Sequence, residues 1–245
     1  MSVIEKFLKS ILKEKSKLTN ASSGKDFEER IKTFLKKAGI SEMVLDTDEV
    51  FTNYVQEIKS VIQAKSGSTL IDNGLFQRTQ EIAYANCYVW QPYGQQDFPD
   101  FLIFTENKIF TIEIKYSTKT QKKPMWNGNL PKKDALYIFG CYGSQELTIF
   151  RGEDILPEEE RLKILAIWDE IDEAAKIWEA EFIEGIEAKQ YSNEFGFSPY
   201  IRRAYQQGKQ YNENAKMDFF SNTNRKAIEE AAVKFAADND VKKED

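Results

Sequence analysis

Asp100, Glu113 and Lys115 have the side chains and the spacing to do chemistry; they lie in the stretch PDFLIFTENKIFTIEIK, residues 99–115. The runs Phe101–Phe104 and Ile109–Ile112 are aromatic and β-branched. They flank the polar tetrapeptide Thr105-Glu106-Asn107-Lys108, which reads as a hairpin turn. A turn symmetric about Glu106-Asn107 pairs Thr105 with Lys108, Phe104 with Ile109 and Asp100 with Glu113. Opposed residues on paired strands hold their Cβ atoms roughly 4.5–5.5 Å apart. Lys115 is two residues from Glu113 and so shares its face. Two acids and an ammonium therefore converge.

Two carboxylates at that separation repel by about 3 kcal/mol at an effective dielectric of about 20. A hard dication relieves this better than one lysine can. Mg²⁺ takes oxygen ligands, typically one or two carboxylates together with substrate phosphate. Such an ion polarises a phosphoryl oxygen, while a neighbouring lysine orients or deprotonates water. The implied chemistry is phosphodiester hydrolysis. The competing reading is an exposed hairpin edge with solubilising charge, and a bulge would slip the alignment.

Set in PD-x12-EIK, these residues resemble the PD-(D/E)xK nuclease superfamily, and the surrounding GQQDFPDFLIF and IFTIEIKYS look most like type II restriction endonucleases. The resemblance covers about residues 84–151. It implies Asp100 and Glu113 as Mg²⁺ ligands, the Ile114 main-chain carbonyl as a further ligand, and Lys115 at the attacking water. It also implies cleavage of double-stranded DNA at a short specific sequence, leaving 5′-phosphate and 3′-hydroxyl ends. The family expectation is a homodimer matched to a palindromic site, with a cognate methyltransferase acting on the same site. FEERIKTFLKKAG (27–39) resembles the helix that opens many of these folds, where Glu28 can join the metal site. Alternatively, Glu28 and Glu29 simply favour the positive end of a helix. The residues also leave open a repair, junction-resolving or nicking nuclease with the same core, or a non-catalytic DNA-binding protein.

The chain contains no histidine, which excludes Ser-His-Asp triads and every histidine-based acid–base scheme. Carboxylates, lysine, tyrosine or a metal must carry any catalysis. Cys87 and Cys141 fall in predicted strands and read as buried thiols of a cytoplasmic protein. No run is long and apolar enough to suggest a membrane span, and the N-terminus reads as an amphipathic helix. The net charge of −6 argues against a nucleic-acid partner until its distribution is considered. Residues 151–194 hold fourteen acids against five bases, which leaves the remainder at +3. Duplex DNA responds to local potential.

Two stretches without acids follow from this. Tyr116–Lys133 carries Lys119, Lys122 and Lys123 with Trp126, Asn127 and Asn129; Ser198–Asn212 carries Arg202, Arg203, Tyr205, Gln206 and Lys209. Lysines can neutralise phosphates, while Asn and Arg can read base edges. Trp126, large and apolar in a polar segment, points to a contact surface. Gln95 and Gln96, just before the Pro-Asp element, can contact substrate, though a polar loop accounts for them equally well.

Periodicity predicts helices at about 2–15, 25–38, 51–65 and 74–85, then strands at 87–91, 100–105, 109–116, 135–142 and 146–151. A long acidic helix or helix pair follows over 157–191, and a last helix over 224–238. The fold class is α/β (α+β): a restriction-endonuclease-like core with a central mixed β-sheet flanked by helices. One nuclease domain is expected over 1–245, with its core at about 25–151 and a helical, DNA-contacting portion at about 157–240.

Overall fold

Local capping signals define the helices that carry the site. In the computed structural model, which describes residues 1–45, 47–64, 68–73, 84–118, 124, 126–127, 130–187, 204–205, 220 and 223–240, α3 (Gly24–Ala38) starts where the Ser23 hydroxyl accepts from the Asp26 N–H. It stops at Gly39, whose φ of +96° is a left-handed conformation that glycine adopts cheaply. The expected N-terminal helix divides into α1 (Val3–Lys13) and α2 (Lys15–Thr19). Then come α4 (Glu49–Gln63), α5 (Glu158–Glu187) and α6 (Arg225–Asn239). The acidic segment is thus one 30-residue helix. Residues 74–83 of the helix predicted at 74–85 lie outside the described residues.

The five expected strands are present as β3 (Cys87–Trp90), β4 (Phe101–Phe104), β5 (Lys108–Ser117), β7 (Leu136–Cys141) and β8 (Glu146–Arg151). Two short ones join them in a seven-stranded sheet: β1 (Ser41–Glu42) and β2 (Leu70–Asp72). Its order is β1-β3-β4-β5-β7-β8, with β2 also pairing with β5. The sheet is mixed: β5–β7 and β1–β3 run parallel and the other pairs antiparallel. A separate two-stranded ladder joins β6 (Trp126–Asn127) to β9 (Ala204–Tyr205).

Alternation along the strands gives the sheet two apolar faces. Phe101, Ile103, Phe110, Ile112 and Ile114 pack with the buried sides of α1, α3 and α6. Leu102, Phe104, Ile109, Tyr137, Phe139 and Phe150 form the other core with α4. A sheet covered on both faces has nearly continuous apolar strands, as in Phe101–Phe104, where every residue is buried.

Gly140 sets how closely α3 approaches. A Cβ there would lie 2.6 Å from the Phe27 ring, which stacks on Tyr116 at 4.6 Å. Gly140→Ala should therefore destabilise the fold by about 1–3 kcal/mol through overpacking, read as a lower denaturant midpoint at unchanged slope. Among the described residues no helix is long and apolar enough to cross a membrane.

Candidate active site

The β4–β5 hairpin has the symmetric register. Phe101 pairs with Ile112, Leu102 with Thr111, Ile103 with Phe110 and Phe104 with Ile109. The turn is closed by the Thr105 N–H donating to the Lys108 carbonyl at 2.8 Å. Asp100 lies one residue before β4, just past the Phe101–Ile112 end of the ladder. The Ile114 N–H donates to Asp100 Oδ2 at 2.6 Å, and Lys115 Nζ stands 2.7 Å from Glu113 Oε1. The structure therefore brings Asp100, Glu113 and Lys115 together.

The backbone between the two motif halves also matters. In a strand, a residue's N–H and C=O point to the same side. Since the Ile114 N–H meets Asp100, its carbonyl also faces the β4 side. That puts a main-chain oxygen on the side of β5 that Asp100 approaches.

Electrostatics at this spot is unfavourable by construction. Burial, and then the charge of Glu113, push the Asp100 carboxyl up to about 7; the Ile114 N–H and Lys115 only partly oppose this. Glu113 Oε2 is buried and has no hydrogen-bond partner among the described residues. A buried carboxylate oxygen in that condition is costly. Two carboxylates, one of them with an orphaned oxygen, and a main-chain carbonyl form a donor set suited to a hard dication.

Aromatic and cationic groups pack around this corner. Tyr137 pairs with Glu113 across β5–β7, stacks on Phe150 with centroids 5.5 Å apart, and accepts from the Lys132 N–H at 3.0 Å. Burial first, then the Glu113 charge, push its hydroxyl well above the usual tyrosine range. Lys132 Nζ donates to the Ile62 carbonyl at the end of α4 and lies 5.4 Å from the Phe98 ring centroid. Burial, and then Arg161, bring Lys132 down to about 8.

Glu28 is not a helix-end acid. That place belongs to Asp26, which accepts from the Ser22 N–H at 2.7 Å and pairs with Arg30 at 3.0 Å. Glu28 lies on the second turn of α3, where Trp90 Nε1 (3.0 Å) and Gln91 Nε2 (3.4 Å) both donate to its Oε2. Burial raises its carboxyl, and the Glu113 charge adds to the rise. Among the described residues, however, no group of three or more His, Cys, Asp or Glu side chains could hold a metal ion. Glu28, expected at the metal site, is held through Oε2 by Trp90 and Gln91. The Asp100–Glu113 pair remains, which suffices for an ion that commonly takes one or two carboxylates.

The DNA-contact expectations divide. Gln95 and Gln96 are exposed in the turn after β3. Trp126 departs from its expected surface role: it is 2% exposed and meets Tyr137 edge-on at 6.1 Å, because its apolar ring completes the core under β7. The backbones of Trp126 and Asn127 pair with those of Tyr205 and Ala204, which links the two acid-free stretches. Lys119, Lys122, Lys123, Asn129, Arg202, Arg203, Gln206 and Lys209 lie outside the described residues.

Sequence reasoning passed over Trp90, Gln91 and Tyr137. A polar residue ending the apolar run Cys87–Trp90 was the only available signal for Gln91. Tyr137 looked like any aromatic in a strand. Comparison with known proteins adds no relative: no family model matches the chain, and neither the curated proteins nor the solved structures contain a significant match.

Proposed function

We propose that this protein is a Mg²⁺-dependent endonuclease that hydrolyses phosphodiester bonds of double-stranded DNA, and that it acts as a type II restriction enzyme at a short specific sequence. The observation that supports this best is the approach of Asp100 to the Glu113 strand, where its carboxylate accepts from the Ile114 N–H at 2.6 Å, with Lys115 2.7 Å from Glu113 and a buried Glu113 oxygen left over.

Asp100 and Glu113 would hold the dication, with the Ile114 carbonyl as a third donor. When bound, the ion supplies Lewis-acid polarisation of a phosphoryl oxygen. Asp100 would hold it as the carboxylate, and Glu113 would offer it the oxygen that has no hydrogen-bond partner. Lys115, 2.7 Å from Glu113, would orient the attacking water in line with the scissile bond and offset the charge that develops there, while the water's proton passes to solvent. The leaving 3′ oxygen is protonated from solvent, which yields 5′-phosphate and 3′-hydroxyl ends. Two copies acting on a palindromic site would cut both strands, and a methyltransferase with the same specificity would protect the host DNA.

Digestion of long genomic DNA with Mg²⁺, beside an EDTA control, tests the reading. Discrete Mg²⁺-dependent bands support a site-specific enzyme. A smear would point to a nonspecific or repair nuclease sharing the core, and intact DNA at high protein concentration would contradict hydrolysis.

A further inference from the structure

Helix α5 carries apolar side chains that neither core of the sheet accounts for. Among its described residues only Arg161 and Ala175 are buried. Ile167, Ile171, Trp178 and Phe182 follow one another at intervals of four, seven and four residues, so they form a single stripe along the helix. All four are exposed, Ile167 by 54% and Trp178 by 55%. Among the described elements none packs along α5. At a rise of about 1.5 Å per residue the stripe is about 24 Å long. A soluble protein seldom leaves a contiguous apolar stripe of that size bare unless a partner covers it.

The charges around the stripe select the partner. Residues 158–187 hold eleven acids against three bases. Each base is paired within the helix: Arg161 with Glu158 at 2.6 Å, Lys163 with Glu159 at 2.7 Å and Lys176 with Glu173 at 2.7 Å. Glu170 stands three residues from Ile167 and Glu181 three from Trp178, so these two exposed acids border the stripe. Such a border repels DNA and an anionic membrane surface. A second copy of the chain would set the same surplus of acid against itself. An apolar face edged with lysine or arginine complements both features.

We propose that α5 is a docking surface for another protein, which lays a basic amphipathic helix along the stripe from Ile167 to Phe182. The partner's apolar side chains would pack on the stripe, and its cations would meet Glu170 and Glu181. Helix-on-helix recognition uses anchors at this kind of spacing, and charges at the border choose partner and direction. The surface has no part in the hydrolytic roles of Asp100, Glu113 and Lys115, and it stands or falls separately from the nuclease reading.

Three fluorescein-labelled peptides of about 18 residues, long enough to span the stripe as helices, serve as probes. One is a Leu/Lys sequence with leucine at helical intervals, one is a Leu/Glu sequence of the same pattern, and one is the Leu/Lys sequence scrambled. Fluorescence anisotropy reads their binding to wild type, to Ile171→Ser/Trp178→Gln and to Glu170→Lys/Glu181→Lys. Every substituted residue is exposed, and circular dichroism checks that each variant folds. Wild type should bind the patterned Leu/Lys peptide roughly 10-fold or more tighter than either other peptide. Ile171→Ser/Trp178→Gln should lose roughly 10-fold or more of that affinity. Glu170→Lys/Glu181→Lys should weaken the Leu/Lys peptide and strengthen the Leu/Glu peptide.

Equal binding of the patterned and scrambled peptides would mean charge attraction alone, and would overturn the proposal. So would full affinity in Ile171→Ser/Trp178→Gln. A wild-type dimer in sedimentation equilibrium that the same variant dissociates would give the stripe to a second copy, and would overturn it too. If Ile171→Ser/Trp178→Gln does not fold, the opposite shifts of the two patterned peptides in Glu170→Lys/Glu181→Lys decide. Neither cleavage nor metal binding enters any of these readings.

Discussion

Asp100→Asn is expected to lower duplex cleavage by roughly three orders of magnitude or more, the scale on which positioned charges and acid–base groups act in catalysis. The same variant should be more stable than wild type at pH 8 without divalent ions. Below about pH 4 an aspartate is protonated in both the folded and unfolded chain, so Asp100 costs nothing there. As pH rises through the folded value of about 7, the proton must leave against burial and the Glu113 charge. The contribution of Asp100 to stability is therefore lost across that window, by an amount on the order of 4 kcal/mol. The amide of the Asp100→Asn variant cannot ionise, and its Oδ1 can still accept from the Ile114 N–H. The variant should lose less stability than wild type over the same range. Urea unfolding at pH 5 and pH 8 measures both slopes, and a wild-type protein equally stable at the two would contradict this role for Asp100. Mg²⁺ should restore stability to wild type at pH 8 and do nothing for the variant.

Lys115→Met should abolish cleavage to a similar degree, on the order of 10²–10⁴-fold, yet move stability the other way. The Lys115 and Glu113 side chains are only 21% and 16% exposed, so their 2.7 Å pair is mostly shielded from water. Removing the ammonium leaves Glu113 with two unpaired oxygens beside Asp100. The cost should be about 1–3 kcal/mol in metal-free buffer. Two inactive variants with opposite stability changes are not the signature of general misfolding. They are what a site built on repulsion predicts, since function there is maintained at the expense of the fold. Thermal unfolding of both, together with a cleavage time course, checks the pairing of effects. A stabilised Lys115→Met would show that this lysine does not balance Glu113.

The hairpin was legible in the sequence because its register depends on few things: a four-residue polar turn, two apolar runs of equal length, and the two-residue period of a strand. Those fix which residues oppose each other, and Phe104–Ile109 through Phe101–Ile112 pair accordingly. The five longer strands and the amphipathic helices α3 and α4 were legible for the same reason. The two-residue β1 and the three-residue β2 were not, since neither is long enough to show a period. The role of Trp126 was misjudged because a polar neighbourhood in sequence says little about a ring that folds back under Tyr137. Glu28 could be named but not placed. Its partners Trp90 and Gln91 come from the far end of β3 and the residue after it, and meet Glu28 only in three dimensions.

A structure of the protein crystallised with Mn²⁺, read by its anomalous signal, tests the central claim most directly. The expected result is a peak between the Asp100 and Glu113 carboxylates, next to the Ile114 carbonyl, with Lys115 turned away from Glu113 Oε1. No peak there at saturating Mn²⁺, with the Lys115–Glu113 pair intact, would contradict it.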